Sequence, residues 1–332
     1  MSDLILSSDW TLHGLRVCLL ENRYLRVVIL PEAGAKIWQI TYKPLDAPLL
    51  WNNPRIAPSR QSIHARYDDV WSGGWDELFP NDEAGTVDGE FYPDHGELWT
   101  GAWHAEPFQT NESVGVRLSF RTPITACLVE RTLELHRDNR QLHIRYRFTN
   151  QSTATLPFLW KLHPAFAVSS QHRIDFPPMT VVREPAFAGS LGNAPESFPW
   201  PHADLGDRIM DLRQVPGVCS QAVHFFYGTE LKQGWCAVTD TKKRLAAGLR
   251  FDPNVFTSCW LFASYGGWRN LNVAVLEPAT GYPFNLPAMI AAGRAPSLKS
   301  GESLATDALF TVQEKVCSVS GIDADGTILP TE

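Results

Sequence analysis

The segments VGVRLSF (114–120), CLVERTLELH (127–136) and QLHIRYRFTN (141–150) decide the fold. In the last of them Leu142, Ile144, Tyr146 and Phe148 point one way, while His143, Arg145 and Arg147 point the other. A period of two, held over three consecutive segments with turns such as Asp138-Asn139 between them, predicts an antiparallel sheet with one wet face. The next segment, LPFLWKLHPAFAVSS (156–170), is apolar on both faces, as a strand between two sheets would be.

The same reading extends in both directions. Residues 16–30 (RVCLLENRYLRVVIL) break at Glu21-Asn22 into two short apolar runs, which predicts a hairpin. Residues 36–42 alternate, with Trp38, Ile40 and Tyr42 on one face. Pro44, Pro48, Pro54 and Pro58 make 43–70 a loop. Downstream, 171–217 carries seven prolines and no sustained period, and reads as a long loop excursion over the mouth of a sandwich. Strands resume with SQAVHFFYG, GWCAVTD, RLAAGLRFD, SCWLFASY and LNVAVLEP, and 297–314 adds a turn and a strand. No segment longer than about a dozen residues shows a helical stripe. The expectation is one all-β domain over 1–332, with two large antiparallel sheets packed face to face.

Composition narrows the function. A net charge of −7 and a pI near 5.8 argue against a nucleic-acid surface, which carries a basic excess. No window approaches the roughly 18 apolar residues of a membrane helix, and the start lacks the pattern of a signal peptide. Six scattered cysteines without a CxxC pair suit reduced thiols, so a cytoplasmic protein is expected. His95, His104, His163 and His172 show no metal-site spacing, GGWDELF is not a phosphate loop, and no GxSxG elbow appears. No metal or cofactor is expected. Nothing in the pattern marks a face for self-association, so oligomeric state is not readable.

Residues 71–103, WSGGWDELFPNDEAGTVDGEFYPDHGELWTGAW, hold four of the twelve tryptophans, seven acidic residues from Asp76 to Asp94, and His95. Indole faces mixed with carboxylates and an imidazole suit a sugar, whose C–H face packs on an aromatic ring while its hydroxyls need polar partners. A tryptophan-rich core loop with a solvated acidic rim accounts for the same composition. Three titratable residues stand out. His163 lies inside an apolar run, where a core histidine bonded to a backbone carbonyl is the plain alternative. Glu277 ends the run Val273–Leu276, a costly place for a carboxylate unless it works or pairs, for example with Arg269 or Arg294. His95 sits in a tight Pro-Asp-His-Gly turn, where bonding to Asp94 would also explain it.

Four pieces in order resemble the aldose 1-epimerase (galactose mutarotase) family. These are Gly73-Gly74, Phe79-Pro80 and Pro93-Asp94-His95-Gly96; TNQSTATLPFLWKLHPAF (149–166); LEPATGYP (276–283); and LKSGE (298–302). The opening NRYLRVVILPEAGAKIWQITYK (22–43) is also similar to that family's first strands, so the likeness spans nearly the whole chain. It implies a large antiparallel β-sandwich, the galactose mutarotase-like supersandwich, with a sugar site on a concave face. It also implies that Glu277 is the base at the anomeric hydroxyl, His163 the donor to the ring oxygen, and His95 the histidine that orients and polarises the sugar. The chemistry asks for such a set: opening the ring removes a proton from O1 and gives one to O5. Two departures are visible. HGELW has Trp99 where members acting on phosphorylated hexoses have an arginine, and no arginine closely precedes His95.

The expected function is therefore cofactor-free interconversion of the anomers of an aldose, by a mutarotase whose partner is a small sugar. Asp76, Trp75, Trp99, Trp160 and Trp260 are the expected substrate contacts, with core packing the alternative for each tryptophan. Two other readings stay open. One is a non-catalytic carbohydrate-binding or regulatory protein on the same fold. The other is a glycoside hydrolase or lyase using Asp76 or Glu77 with Glu277.

Overall fold

The computed structural model describes residues 4–187 and 189–331. The contacts of the chain group into two compact units. One comprises the residues up to His163 together with Thr280–Ala308, and the other Pro164–Ala279 with the residues from Leu309 on. Strands Lys161–Ala167 and Ser303–Glu314 run through two of the crossing points, so no linker marks them.

In the first unit Ile5–Ser7, Cys18–Glu21, Leu25–Leu30 and Lys36–Tyr42 pair in sequence, all antiparallel. Trp75–Leu78 joins Lys36–Tyr42 through Ile37 and Trp75. A second sheet is the meander His104–Gln109, Ser113–Arg121, Cys127–His136 and Gln141–Asn150. Its alternation sends Leu133, Leu135, Ile144 and Phe148 into the core, each worth about 1.5–3 kcal/mol when fully buried. Glu134 and Arg145, neighbours of that register, pair at 3.0 Å on the wet face. The two sheets meet face to face: Phe79, just past Trp75–Leu78, packs on Phe148 at 5.0 Å.

A polar knot crosses the same interior. Glu77 Oε1 accepts from Arg131 Nη1 at 3.0 Å and from the Tyr146 hydroxyl at 2.8 Å. Glu77 Oε2 accepts from Trp160 Nε1 at 3.0 Å, and Arg131 Nη2 donates to the carbonyl of Ala35. Glu77 and Arg131 are both 1% exposed. Burial pushes the Glu77 carboxyl pKa up, while Arg131, Trp160 and Tyr146 pull against it.

The Gly73-Gly74 pair has a steric reason. Both residues have positive φ, and a Cβ on Gly73 would lie 2.4 Å from the Trp51 carbonyl oxygen. The loop that precedes this pair is pinned at its start, where Asn53 N donates to Ser72 O and Asn53 Nδ2 to Trp71 O.

In the second unit Thr180–Arg183, Ala222–Thr229, Ser258–Tyr265 and Asn272–Ala279 pair antiparallel in that order. His172–Asp175, Trp235–Asp240 and Leu245–Phe251 pair likewise. Trp235, Ala237, Ala246, Val316, Val319, Ile322 and Ile328 form a separate apolar cluster. The hairpin Val319–Ile322 with Ile328–Pro330 follows the strand that the sequence reading took as the last.

Residues 171–217 differ most from expectation. Their described residues contain five short strands, of which His172–Asp175 and Thr180–Arg183 pair with Trp235–Asp240 and Ala222–Thr229. Strands of three or four residues are too short to show a period, and the prolines lie mostly between them. The segment 156–170 is also broken, into Leu156–Pro157 and Lys161–Ala167. At the break Leu159 N donates to Pro80 O and Trp160 N to Thr280 Oγ1. Two short helices occur among the described residues, Tyr67–Val70 and Leu286–Ala291, and no helix is long and apolar enough to cross a membrane. All six cysteines are free, four of them buried.

Candidate active site

Strand Trp75–Leu78 sends adjacent carboxylates to opposite faces, as a strand must. Glu77 enters the polar knot, whereas Asp76 faces Lys36 and Tyr67. Asp76 Oδ2 lies 2.5 Å from Lys36 Nζ and accepts from the Tyr67 hydroxyl at 2.8 Å. Lys36 Nζ donates as well to the carbonyl of Gly73 at 2.8 Å. The Tyr67 hydroxyl is also 3.2 Å from His163 Nδ1. His163, near the start of Lys161–Ala167, has Trp71 and Tyr67 edge-on at 5.7 and 5.6 Å. Burial drives its pKa well below the usual histidine value, and the cations Lys161, His95 and Lys36 add to the effect. The ring is therefore neutral near pH 7.

His95 is shifted in the opposite direction. Its backbone is left-handed, at φ 59°, in the Pro93–Gly96 turn. Nδ1 lies 2.8 Å from Asp94 Oδ1 and Nε2 lies 3.2 Å from Asp82 Oδ1. Asp82 Oδ2 holds Lys161 Nζ at 2.5 Å. Burial lowers the His95 pKa, but Asp82 and Asp94 outweigh it and the net direction is upward. The Tyr67 ring stacks on the His95 ring at 4.1 Å, and the Tyr67 backbone N–H donates to Asp94 Oδ2 at 2.8 Å. Asp94 thus orients both members of the stack. In an NMR titration the His95 ring is expected to titrate above the ordinary ~6.5. Asp94→Asn should move that midpoint down, because it removes an anion that favours the imidazolium; an unmoved midpoint would remove Asp94 from this role.

Of the expected substrate contacts, Asp76 and Trp99 stand beside Tyr67. Trp99 meets the Tyr67 ring edge-on at 5.0 Å and donates through Nε1 to Asp94 O at 3.1 Å. Trp75, Trp160 and Trp260 are 0% exposed. Trp160 is committed to Glu77, and Trp260 donates to Ser258 Oγ at 3.0 Å with its ring edge-on to Tyr227. A cavity of about 20 Å³ lined by Lys36, Gln61, Tyr67, Trp71, Ser72 and Trp99 lies beside the cluster, room for a water but not a pyranose.

Glu277 belongs to the second unit and is 1% exposed. In strand register it lies beside Trp260, which in turn lies beside Tyr227. Tyr227 donates its hydroxyl to Glu184 Oε2 at 2.5 Å. Arg269 and Arg294, the pairing partners considered from sequence, lie over the rings of Trp268 and Tyr282 at 5.0 and 4.2 Å.

Sequence reasoning missed Lys36, Tyr67, Asp82 and Lys161 as members of this cluster, and named Asp94 only as a bonding partner of His95. Lys161 carried a usable signal, because it lies in the same apolar run that marked His163. Tyr67 carried none, being a single tyrosine at the end of a proline-rich loop. No arginine closely precedes His95, and the lysines that act on His163 are Lys36 and Lys161.

No family model matches the chain, and no curated protein matches it. Solved structures do. A Klebsiella pneumoniae protein provisionally named an aldose 1-epimerase superposes with a TM-score of 0.72 at 13% identity, over 94% of this chain and 83% of its own. A galactose mutarotase-like protein of Clostridium acetobutylicum gives 0.65 at 12%, over 95% and 100%. A galactose mutarotase related enzyme of Lactobacillus acidophilus gives 0.61 at 16%, over 90% and 98%. The chain has the galactose mutarotase-like β-sandwich fold, all-β with large antiparallel sheets. At such identities the likeness is one of fold.

Proposed function

We propose that this protein interconverts the anomers of an aldose, with His163 and Glu277 as the pair that exchanges protons with O1 and O5. The observation that carries the reading is His163: a neutral imidazole among aromatic rings, beside Tyr67, at the position the motif order assigns to an acid–base group. A neutral imidazole takes up and returns a proton without metal or nucleotide, and ring opening needs just such transfers. Lys36 and Lys161 supply positive charge around it, but Asp76 and Asp82 already neutralise that charge. This favours a neutral sugar over a phosphorylated one. A glycosidase built on Glu77 is disfavoured by the commitment of its carboxylate to Arg131, Tyr146 and Trp160. The competing reading, a carbohydrate binder without catalysis, draws on His95, both of whose ring nitrogens are engaged by carboxylates.

Saturation-transfer NMR on a panel of aldoses tests the proposal. Acceleration of anomer exchange for at least one neutral aldose is the expected result. Sugar binding without acceleration would replace the mutarotase reading with the binding one.

A further inference from the structure

We propose that the second unit holds a binding site for a small hydroxylated organic anion, a sugar phosphate or a sugar acid, at one end of its C-terminal hairpin. The inference is independent of the mutarotase reading, since it uses no residue of the candidate active site.

The hairpin Val319–Ile322 with Ile328–Pro330 packs on one face of the strand pair Trp235–Asp240 and Leu245–Phe251. Alternation puts Ala246, Gly248 and Arg250 on that face, opposite Thr239, Ala237 and Trp235 in the register. Ile322 lies over Gly248 so closely that a Cβ there would meet its Cδ1 at 2.5 Å. At Arg250, the next position on the face, the hairpin leaves a cleft of about 380 Å³. That volume falls within the ~300–1,000 Å³ of small-molecule sites. Cys236, between Trp235 and Ala237, points the other way and hydrogen-bonds Cys259, on the strand that pairs with Glu277's. The cleft is therefore on the face of its sheet turned away from Glu277's strand.

The lining is rich in donors and poor in acceptors. Arg250 is half-buried, and neither its guanidinium nor Lys232 Nζ makes a hydrogen bond or ion pair among the described residues. A guanidinium partly withdrawn from water without a counter-charge favours an incoming anion, and its planar fork of N–H groups matches a carboxylate or a phosphate. Gln233 Oε1 accepts from Trp235 Nε1 at 3.1 Å, which leaves the amide hydrogens of Gln233 as further donors. Against these stands one lining carboxylate, Asp323, whose Oδ1 accepts from Thr327 N at 2.9 Å. A bare anion would fill little of the cleft and would meet Asp323 as a like charge. A ligand that brings its anionic group to Arg250, Lys232 and Gln233 and a hydroxyl to Asp323 satisfies all of them. Leu329, 43% exposed, gives the C–H side of such a body an apolar wall.

Isothermal titration calorimetry on the full chain tests the site, with glucose 6-phosphate, gluconate, glucose and inorganic phosphate as probes and circular dichroism as the check of folding. Wild type is expected to bind glucose 6-phosphate or gluconate, the tighter of the two naming the anionic group, and to bind glucose and inorganic phosphate about tenfold more weakly or worse. Arg250→Met keeps the length of the side chain and should weaken binding of the organic anion by about tenfold or more; Arg250→Lys, which keeps the charge but loses the fork, should weaken it less. His163→Asn should bind as wild type does. If neither organic anion binds wild type, or if folded Arg250→Met binds as tightly as wild type, the proposal is overturned. Glucose binding as tightly as the organic anions would remove the role of the cations, and inorganic phosphate binding as tightly would leave an anion contact without a site for the sugar body; either result overturns it. Binding that is lost in His163→Asn would put the anion in the candidate active site and overturn it as well.

Discussion

His163→Asn is expected to slow anomer exchange by about 10²- to 10⁴-fold, with KM little changed. Asparagine is close in size and can still meet the Tyr67 hydroxyl, so the aromatic surround of Trp71 and Tyr67 is kept. What it lacks is a basic ring nitrogen that can carry a proton during the reaction. The loss therefore falls on the chemical step and appears in kcat. Glu277→Gln should cost a similar factor, and the double variant little more than either single one, because two groups that pass one proton each way act as a unit. Saturation-transfer NMR on the best substrate of the panel measures all three. A His163→Asn protein that is folded and exchanges anomers at the wild-type rate would take His163 out of the mechanism.

Arg131→Met should lower the unfolding free energy by about 3–5 kcal/mol. Its guanidinium is the only cation that any described contact brings to Glu77, and both side chains lie between the two sheets of the first unit. Without Arg131 the Glu77 carboxylate keeps Tyr146 and Trp160 as donors but loses its opposing charge. Its folded-state pKa, already pushed up by burial, would rise further above the unfolded value of about 4.3. A raised carboxyl favours the folded state where it is protonated there. The destabilisation should therefore be small below the unfolded pKa, and grow as pH rises through the window up to the folded value. Urea unfolding at pH 5 and pH 8 checks the sign: the midpoint shift should be larger at pH 8. A shift of equal size at both would mean that Arg131 acts through packing on Trp103, 5.7 Å away, and not through charge. Glu77→Leu combined with Arg131→Met should recover part of the loss, since no uncompensated charge is left.

What was legible in the sequence follows from the range of the forces involved. Alternation at 114–150 is a local signal, and the meander appears where it placed it. The hairpin around Glu21-Asn22 is equally local. The strands within 171–217 were not readable, because runs of three or four residues show no period, and His172–Asp175 and Thr180–Arg183 are stabilised by pairing with residues tens of positions away. The same holds for the site. His95 and His163 stood out through a turn and an apolar run, but the ion pair of Asp82 with Lys161 joins residues 79 apart. Nothing in either neighbourhood says that the two meet. Tyr67 is the extreme case, since its importance lies in the partners that converge on its hydroxyl and ring, Asp76, His163, His95 and Trp99 among them.

The loop between Asn53 and Tyr67 is tied at one end by Asn53 to Ser72 and Trp71, and at the other by Tyr67 N to Asp94. Most of the residues between these ties are exposed or half-buried. The hydroxyl of Tyr67 is thus located by Asp94 and Asp76, and not by the path the chain takes to reach it. Residues near Ser62–His64 could therefore be lengthened, or replaced by a tag or a fluorophore site, without shifting the proton-handling groups. Such an insertion would give the protein an optical handle a few residues from the proposed site, from which sugar binding could be followed directly.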